Sequence, residues 1–171
     1  SVVGLPQGNA WLYVDLDEES SSNVPQAAQD LLDKLYTNGR LVDGRTVPDR
    51  QQRVSLWRIR EDGAGLSSRL VAPQQVNPED GGDGGSYESW PGWEDSAVAP
   101  ERLADYLEGF TALLDHHGLT GVMYGHFGAG CMHVRITFDL RSTHGRAVMR
   151  KFCRDAAELV VRHGGSLSGE H

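Results

Sequence analysis

Apolar residues along the chain fall into a few distinct rhythms. From Asn9 to Asp17 the side chains alternate, with Trp11, Tyr13 and Asp15 on one side and Leu12, Val14 and Leu16 on the other, the period of a strand. The acidic, serine-rich run from Glu18 to Asn23 reads as a loop. Val24 to Asn38 places Ala28, Leu31, Leu32 and Leu35 on one stripe and predicts a helix, with Pro25 in its first turn and Gly39 as its stop. Arg40 to Val47 suits a short strand broken at Gly44, and Pro48 to Glu61 a helix carrying Val54, Leu56, Trp57 and Ile59. Gly63 to Trp93 has little periodicity and contains the run Gly81-Gly82-Asp83-Gly84-Gly85, so it reads as a long loop or insertion. Pro100 then opens a helix through His117, with Leu103, Leu107, Phe110 and Leu114 on one face and Gly118 after it. Gly121 to His126 and Cys131 to Leu140 predict two strands joined by Phe127-Gly128-Ala129-Gly130. Gly145 to His163 is the last helix, with Val148, Phe152, Ala156 and Leu159 facing inward.

That order predicts an α+β fold in which helices pack on one face of an antiparallel sheet, in a ferredoxin-like arrangement. At 171 residues the chain is long enough for one good core. Its net charge of −8, with no long basic patch, disfavours nucleic acid and anionic membranes as partners. No run approaches the roughly 18 apolar residues of a transmembrane segment, and the first residues lack a signal-peptide pattern. Two cysteines, Cys131 and Cys153, make no disulfide framework, so a reducing, cytoplasmic setting is the expectation.

Candidate chemistry concentrates between Tyr124 and Arg135. A tight glycine turn brings His126, at the end of one strand, towards His133, early in the next. Cys131, His133, Arg135 and Thr137 share the polar face of that second strand, while Val134, Ile136 and Phe138 share the apolar one. Two imidazoles on a hairpin suit a divalent metal such as zinc, iron or manganese. Glu170 offers a carboxylate as third ligand, and His171 beside it a base. The plainer reading is two polar residues on a half-exposed hairpin. His116, His117 and His163 end helices and suit the helix dipole, His144 suits a surface loop, and Trp90 and Trp93 suit equally a pocket wall or simple packing. Cys131 is either a soft fourth ligand or a pocket residue.

The segment Tyr124 to Arg135 resembles the "GHxGDGNxH" motif of the FAD-linked oxidase C-terminal domain family. Ser168-Gly169-Glu170-His171 resembles that family's "GEHGxG" motif. Trp57-Arg58-Ile59-Arg60-Glu61 and the stretch from Glu94 to Leu103 resemble further landmarks in the same order, so the likeness covers nearly the whole chain. The family includes glycolate oxidase, D-lactate dehydrogenase and D-2-hydroxyglutarate dehydrogenase, within the vanillyl-alcohol oxidase superfamily. The resemblance implies metal binding by His126, His133 and Glu170, proton acceptance by His171, and recognition of a substrate carboxylate by Arg60, with Arg58 a second candidate. Cys131 stands at a substrate-contacting position where the motif has asparagine, Ala129 replaces its aspartate, and Trp93 stands where D-2-hydroxyglutarate dehydrogenase has a substrate-binding lysine.

The implied activity is FAD-dependent oxidation of a 2-hydroxy acid to the 2-keto acid. The chain would serve as the substrate and metal domain of a larger flavoprotein, partnered by that protein's own FAD-binding domain. Both ends look cut, so the piece alone is expected to be inactive. The large bacterial members it most resembles also carry iron–sulfur clusters elsewhere, and a peripheral place on the inner membrane face would suit such a parent. The alternative is a non-catalytic ferredoxin-like module for ligand binding or dimerisation.

Overall fold

The computed structural model describes residues 4–17, 23–66, 69–70 and 87–168. The chain divides into two compact units, Ser1–Asp62 and Gly63–His171.

In the first unit, α1 (Val24–Thr37) begins where Asn23 accepts a hydrogen bond from the Gln26 backbone N–H at 3.3 Å, and Pro25 lies in its first turn. Its stripe of Ala28, Leu31, Leu32 and Leu35 is half-buried, as the spacing predicts. A second helix, α2 (Arg50–Leu66), starts behind Asp49, whose side chain accepts from Gln52 N at 2.8 Å, and continues beyond Glu61.

The two strands expected in this unit do not form among the described residues. Residues 9–17 and 40–47 are irregular. Alternation alone makes no strand, because an extended segment needs a ladder partner to satisfy its backbone. Instead Tyr13 stacks on Trp57 at 5.7 Å, and Trp11 Nε1 donates to the Pro6 carbonyl at 2.9 Å.

The long loop expected over 63–93 is shorter than its lack of rhythm implied. Besides the end of α2, it contains a two-stranded antiparallel ladder of β1 (Arg69–Leu70) with β2 (Tyr87–Glu88). It also contains the start of β3 (Trp90–Ala97). Two bulges in β3 hide its period, because each extra residue flips the side chains that follow.

The remaining elements match the predicted order closely. A turn of 3-10 helix at Pro100–Arg102 leads into α3 (Leu103–His116), followed by β4 (Gly121–His126), β5 (Cys131–Ile136) and α4 (Thr143–Arg162). His144 sits exposed in the first turn of α4, not in a loop. The sheet runs β3-β5-β4 with every pairing antiparallel, and Ser166, after α4, bridges Ala97 in the same sense. A βαββα chain with its first strand flanked by the residue after the second helix is the ferredoxin-like order, its fourth strand reduced to one bridge among the described residues.

One face of this sheet is the core. Met132, Val134 and Ile136 of β5 are fully buried against Tyr106 and Phe110 of α3 and Phe152, Ala156 and Val160 of α4. The aromatic centre is edge-on, with Phe110 and Phe152 5.6 Å apart and Phe138 5.7 Å from Phe152. A polar trio reaches into it from β3 and α3. Trp93 Nε1 donates to Tyr106 Oη at 3.1 Å, and the Tyr106 hydroxyl shares a second hydrogen bond with Ser96 Oγ, also 3.1 Å away, in which either hydroxyl can donate. Burial pushes the Tyr106 hydroxyl pKa up, against the two hydrogen bonds. Trp93 is therefore a packing residue.

His117 has a firmer role than dipole contact. Its Nε2 lies 2.8 Å from Asp155 Oδ2 and ties the end of α3 to α4, and Lys151 Nζ donates to the same oxygen at 2.9 Å. The Lys151 and His117 hydrogen bonds hold the Asp155 carboxyl below the usual range. His163 fits the helix-end expectation, with its Nδ1 2.9 Å from the Leu159 carbonyl.

Replacing Tyr106 by Phe should cost about 1–3 kcal/mol in urea unfolding, because it removes the partner of a buried serine hydroxyl and of a half-buried indole N–H. Asp155 contributes stability that is present above the unfolded pKa of about 3.9 and is lost as pH falls through its lowered native value. Acid unfolding of Asp155→Asn, followed by circular dichroism, should therefore show a shallower loss below that point than the parent chain.

Candidate metal and substrate site

The face of the sheet opposite the core carries the polar residues. In the β4–β5 ladder Tyr124 lies opposite His133, and His126 opposite Cys131, so all four project to the same side. The connection is a single turn, Phe127–Ala129, closed by Gly130 at φ 71°. A β-carbon on Gly130 would collide with the Val98 carbonyl oxygen, so only glycine fits where the turn crosses the end of β3. Val98 N donates to the Gly130 carbonyl at 3.0 Å and fixes that crossing.

The turn brings the two histidines together. Their ring centroids are 5.9 Å apart and nearly perpendicular, at 80°. Two imidazoles sharing one tetrahedral metal at bonds of about 2.1 Å have centroids about 5 Å apart, so a small approach would let both bind one ion. The Tyr124 ring lies 5.2 Å from His133, tilted 31°, and supports it from the side.

The third strand adds residues that sequence rhythm could not assign. Between Trp93, opposite Val134, and Ser96, opposite Met132, β3 has two residues where β5 has one. Glu94 and Asp95 thus both face His133. Glu94 Oε2 and Asp95 Oδ1 each lie 3.1 Å from His133 Nδ1. Asp95 has φ 60°, the single positive value outside glycine among the described residues. Partial burial pushes the Glu94 carboxyl pKa up, opposed chiefly by the neighbouring His133 charge, while Asp95 adds to the rise. The local signal for this bulge was only the acidic pair Glu94-Asp95 beside a strand of otherwise mixed character.

Donor chemistry here fits a divalent cation in two overlapping ways. A nitrogen of His133, a carboxylate oxygen of Asp95 and the sulfur of Cys131 lie within 4.8 Å of one another. The His126 imidazole adjoins the same His133 ring. Cys131 is buried and Asp95 half-buried, so a set built on them would be partly shielded. Arg135, further along the polar face, donates through its guanidinium to the Ser89 carbonyl at 2.9 Å and lies opposite both Val122 and Pro91.

Glu170 and His171 lie outside the described residues. Arg58 and Arg60 are on α2 in the first unit, Arg58 exposed and Arg60 half-buried with its guanidinium 5.7 Å from the Trp57 ring centre. The described residues contain no helix long and apolar enough to cross a membrane.

Comparison with known proteins accords with these motifs. The sequence pattern of FAD linked oxidases, C-terminal domain, matches residues 3–171. The chain is 43% identical over 129 residues to a D-2-hydroxyglutarate dehydrogenase of Pseudomonas putida, covering 75% of this chain and 12% of that protein. It is 34% identical over 125 residues to a D-2-hydroxyglutarate dehydrogenase of Escherichia coli, covering 73% and 12%. Against glycolate oxidase subunit GlcD of Escherichia coli it is 28% identical over 169 residues, covering 98% of this chain and 30% of that subunit. The chain thus spans a small part of the length of the curated relatives it matches, and it belongs to the family of FAD linked oxidases, C-terminal domain.

Proposed function

We propose that this chain is the substrate- and metal-binding part of an FAD-dependent enzyme that oxidises a 2-hydroxy acid to the 2-keto acid. The observation that carries the reading is the pairing of His126 with His133 on one polar face, 5.9 Å apart and flanked by carboxylates. The named relatives support the substrate class, because D-2-hydroxyglutarate and glycolate are both 2-hydroxy acids. Family membership supports the flavin, and the much greater length of the relatives supports a flavin-binding domain outside these residues as the main holder of FAD.

His126 and His133 would hold a divalent ion, with Glu170 as the carboxylate ligand that the motif resemblance assigns. Zinc, iron and manganese all suit an imidazole–carboxylate set with open positions. Such an ion would supply Lewis acidity towards a bound hydroxyl oxygen, and FAD would accept the hydride. The chain's own side chains do the rest. Arg60 keeps the proposed role of binding a substrate carboxylate through its fork of donors, with Arg58 the second candidate. His171 would receive the hydroxyl proton on an imidazole nitrogen. Cys131 would border the substrate with a small, weakly polar side chain in place of the motif's asparagine. Tyr124 walls the histidine pair.

Trp93 bears on which 2-hydroxy acid is taken. It is an uncharged residue at the position where the motif resemblance puts a substrate-binding lysine of D-2-hydroxyglutarate dehydrogenase. A second, distal carboxylate is therefore disfavoured, and a monocarboxylic 2-hydroxy acid is the better candidate.

The test is metal uptake by the chain. Titration with zinc or manganese should show one tight ion per chain, with affinity falling at least about tenfold in His126→Ala and in His133→Ala. Equal uptake by both variants would overturn the metal reading and favour a non-catalytic ligand-binding module. In the flavin-loaded protein containing this sequence, the same substitutions should abolish turnover of a 2-hydroxy-acid panel, and chelator should do so reversibly.

A further inference from the structure

The acidic pair on β3 does something more specific than add negative charge near a metal. Two carboxylate oxygens, Glu94 Oε2 and Asp95 Oδ1, lie at the same 3.1 Å from His133 Nδ1. A carboxylate only accepts hydrogen bonds, so the nitrogen facing it is the one that carries hydrogen. The backbone N–H of Asp95 also points at Nδ1, from 3.4 Å, and would require a lone pair there. Two charged acceptors at the shorter distance outweigh one neutral donor at the longer. In a neutral imidazole, hydrogen on Nδ1 leaves the lone pair on Nε2.

Backbone geometry makes this arrangement costly to reach, and therefore informative. Asp95 adopts φ 60°, a region that L residues avoid and aspartate tolerates better than most. The strained residue lies in the bulge, where two residues of β3 stand opposite His133 alone. Without the extra residue only one of the two acids would face that ring. On both sides of it β3 returns to the core, through Trp93 and Ser96, so the bulge changes the polar face and leaves the apolar face in register. The Tyr124 ring beside His133 and the edge-on His126 ring limit rotation about the side-chain bonds.

We propose that the Glu94–Asp95 bulge is a positioning device for His133, which keeps hydrogen on Nδ1 and presents the Nε2 lone pair as donor to a divalent cation. Asp95 and Glu94 are positioning residues that act through the imidazole, as carboxylates behind metal-bound histidines do. What the lone pair binds rests on the metal reading given above. The tautomer itself does not.

The test reads the tautomer directly. Nitrogen-15 NMR of the labelled chain, at a pH where the ring is neutral, distinguishes hydrogen on Nδ1 from hydrogen on Nε2 at His133. The parent chain should show Nδ1–H. The double substitution Glu94→Ala with Asp95→Gly removes both acceptors while glycine suits the φ of 60°, and it should move hydrogen to Nε2. Glu94→Ala with Asp95→Asn keeps one amide oxygen as acceptor and should restore a majority of Nδ1–H, a rescue that a merely structural role would not produce. Zinc affinity should follow the same order, falling about 10- to 100-fold in the double substitution and recovering partly with asparagine. Nε2–H in the parent chain, or an unchanged tautomer in the double substitution, would overturn the proposal. If Glu94→Ala with Asp95→Gly does not fold, the parent tautomer still decides. A tautomer that responds as described in a chain that takes up no zinc would leave the positioning intact and sink the metal reading instead.

Discussion

The ladder between β3 and β5 is mismatched by one residue at His133, and the site depends on that mismatch. A regular antiparallel pair would set one β3 side chain opposite the imidazole and send its neighbour into the core. The bulge sets Glu94 and Asp95 there together, while Trp93 and Ser96 on either side still face inward. One strand thus serves two environments that demand opposite chemistry. Its outer face offers carboxylates to a histidine, and its inner face offers an indole N–H and a hydroxyl to the buried Tyr106.

Core and site are coupled through this strand. Tyr106 accepts from Trp93 and shares a hydrogen bond with Ser96, so its hydroxyl clamps β3 immediately before and after the bulge. A largely buried polar trio is tolerable only when every member is satisfied, which ties the position of α3 to the register of β3. Gly130 does the same at the end of the hairpin, where its lack of a side chain lets the turn meet the Val98 carbonyl. The imidazoles are held by a rigid sheet, a better support for chemistry than a loop.

The family assignment and the geometry answer different questions. The match across residues 3–171 says which family this chain belongs to, and the relatives' names say what those proteins act on. Neither says which nitrogen of His133 is available or which residue orients it. Those properties follow from distances of a few ångströms around the β3 bulge.

The sequence alone was enough for the three helices with clean stripes, the β4–β5 hairpin and the approach of His126 to His133, because each depends on residues close together in the chain and on one period. Its limits were equally physical. The alternation at Asn9–Asp17 reads as a strand, yet a ladder needs a partner that local pattern does not provide. The bulges in β3 break the period by which a strand is recognised, so Trp90 to Trp93 passed for loop and Glu94 and Asp95 were legible only as part of a motif, without a role. His117 looked like a helix end until α4 brought Asp155 to it from 38 residues away. Short-range order was legible because covalent neighbours create it. The acids behind His133 were decided only by tertiary structure, because a register between strands separated by a whole helix is set by the packing of both faces at once.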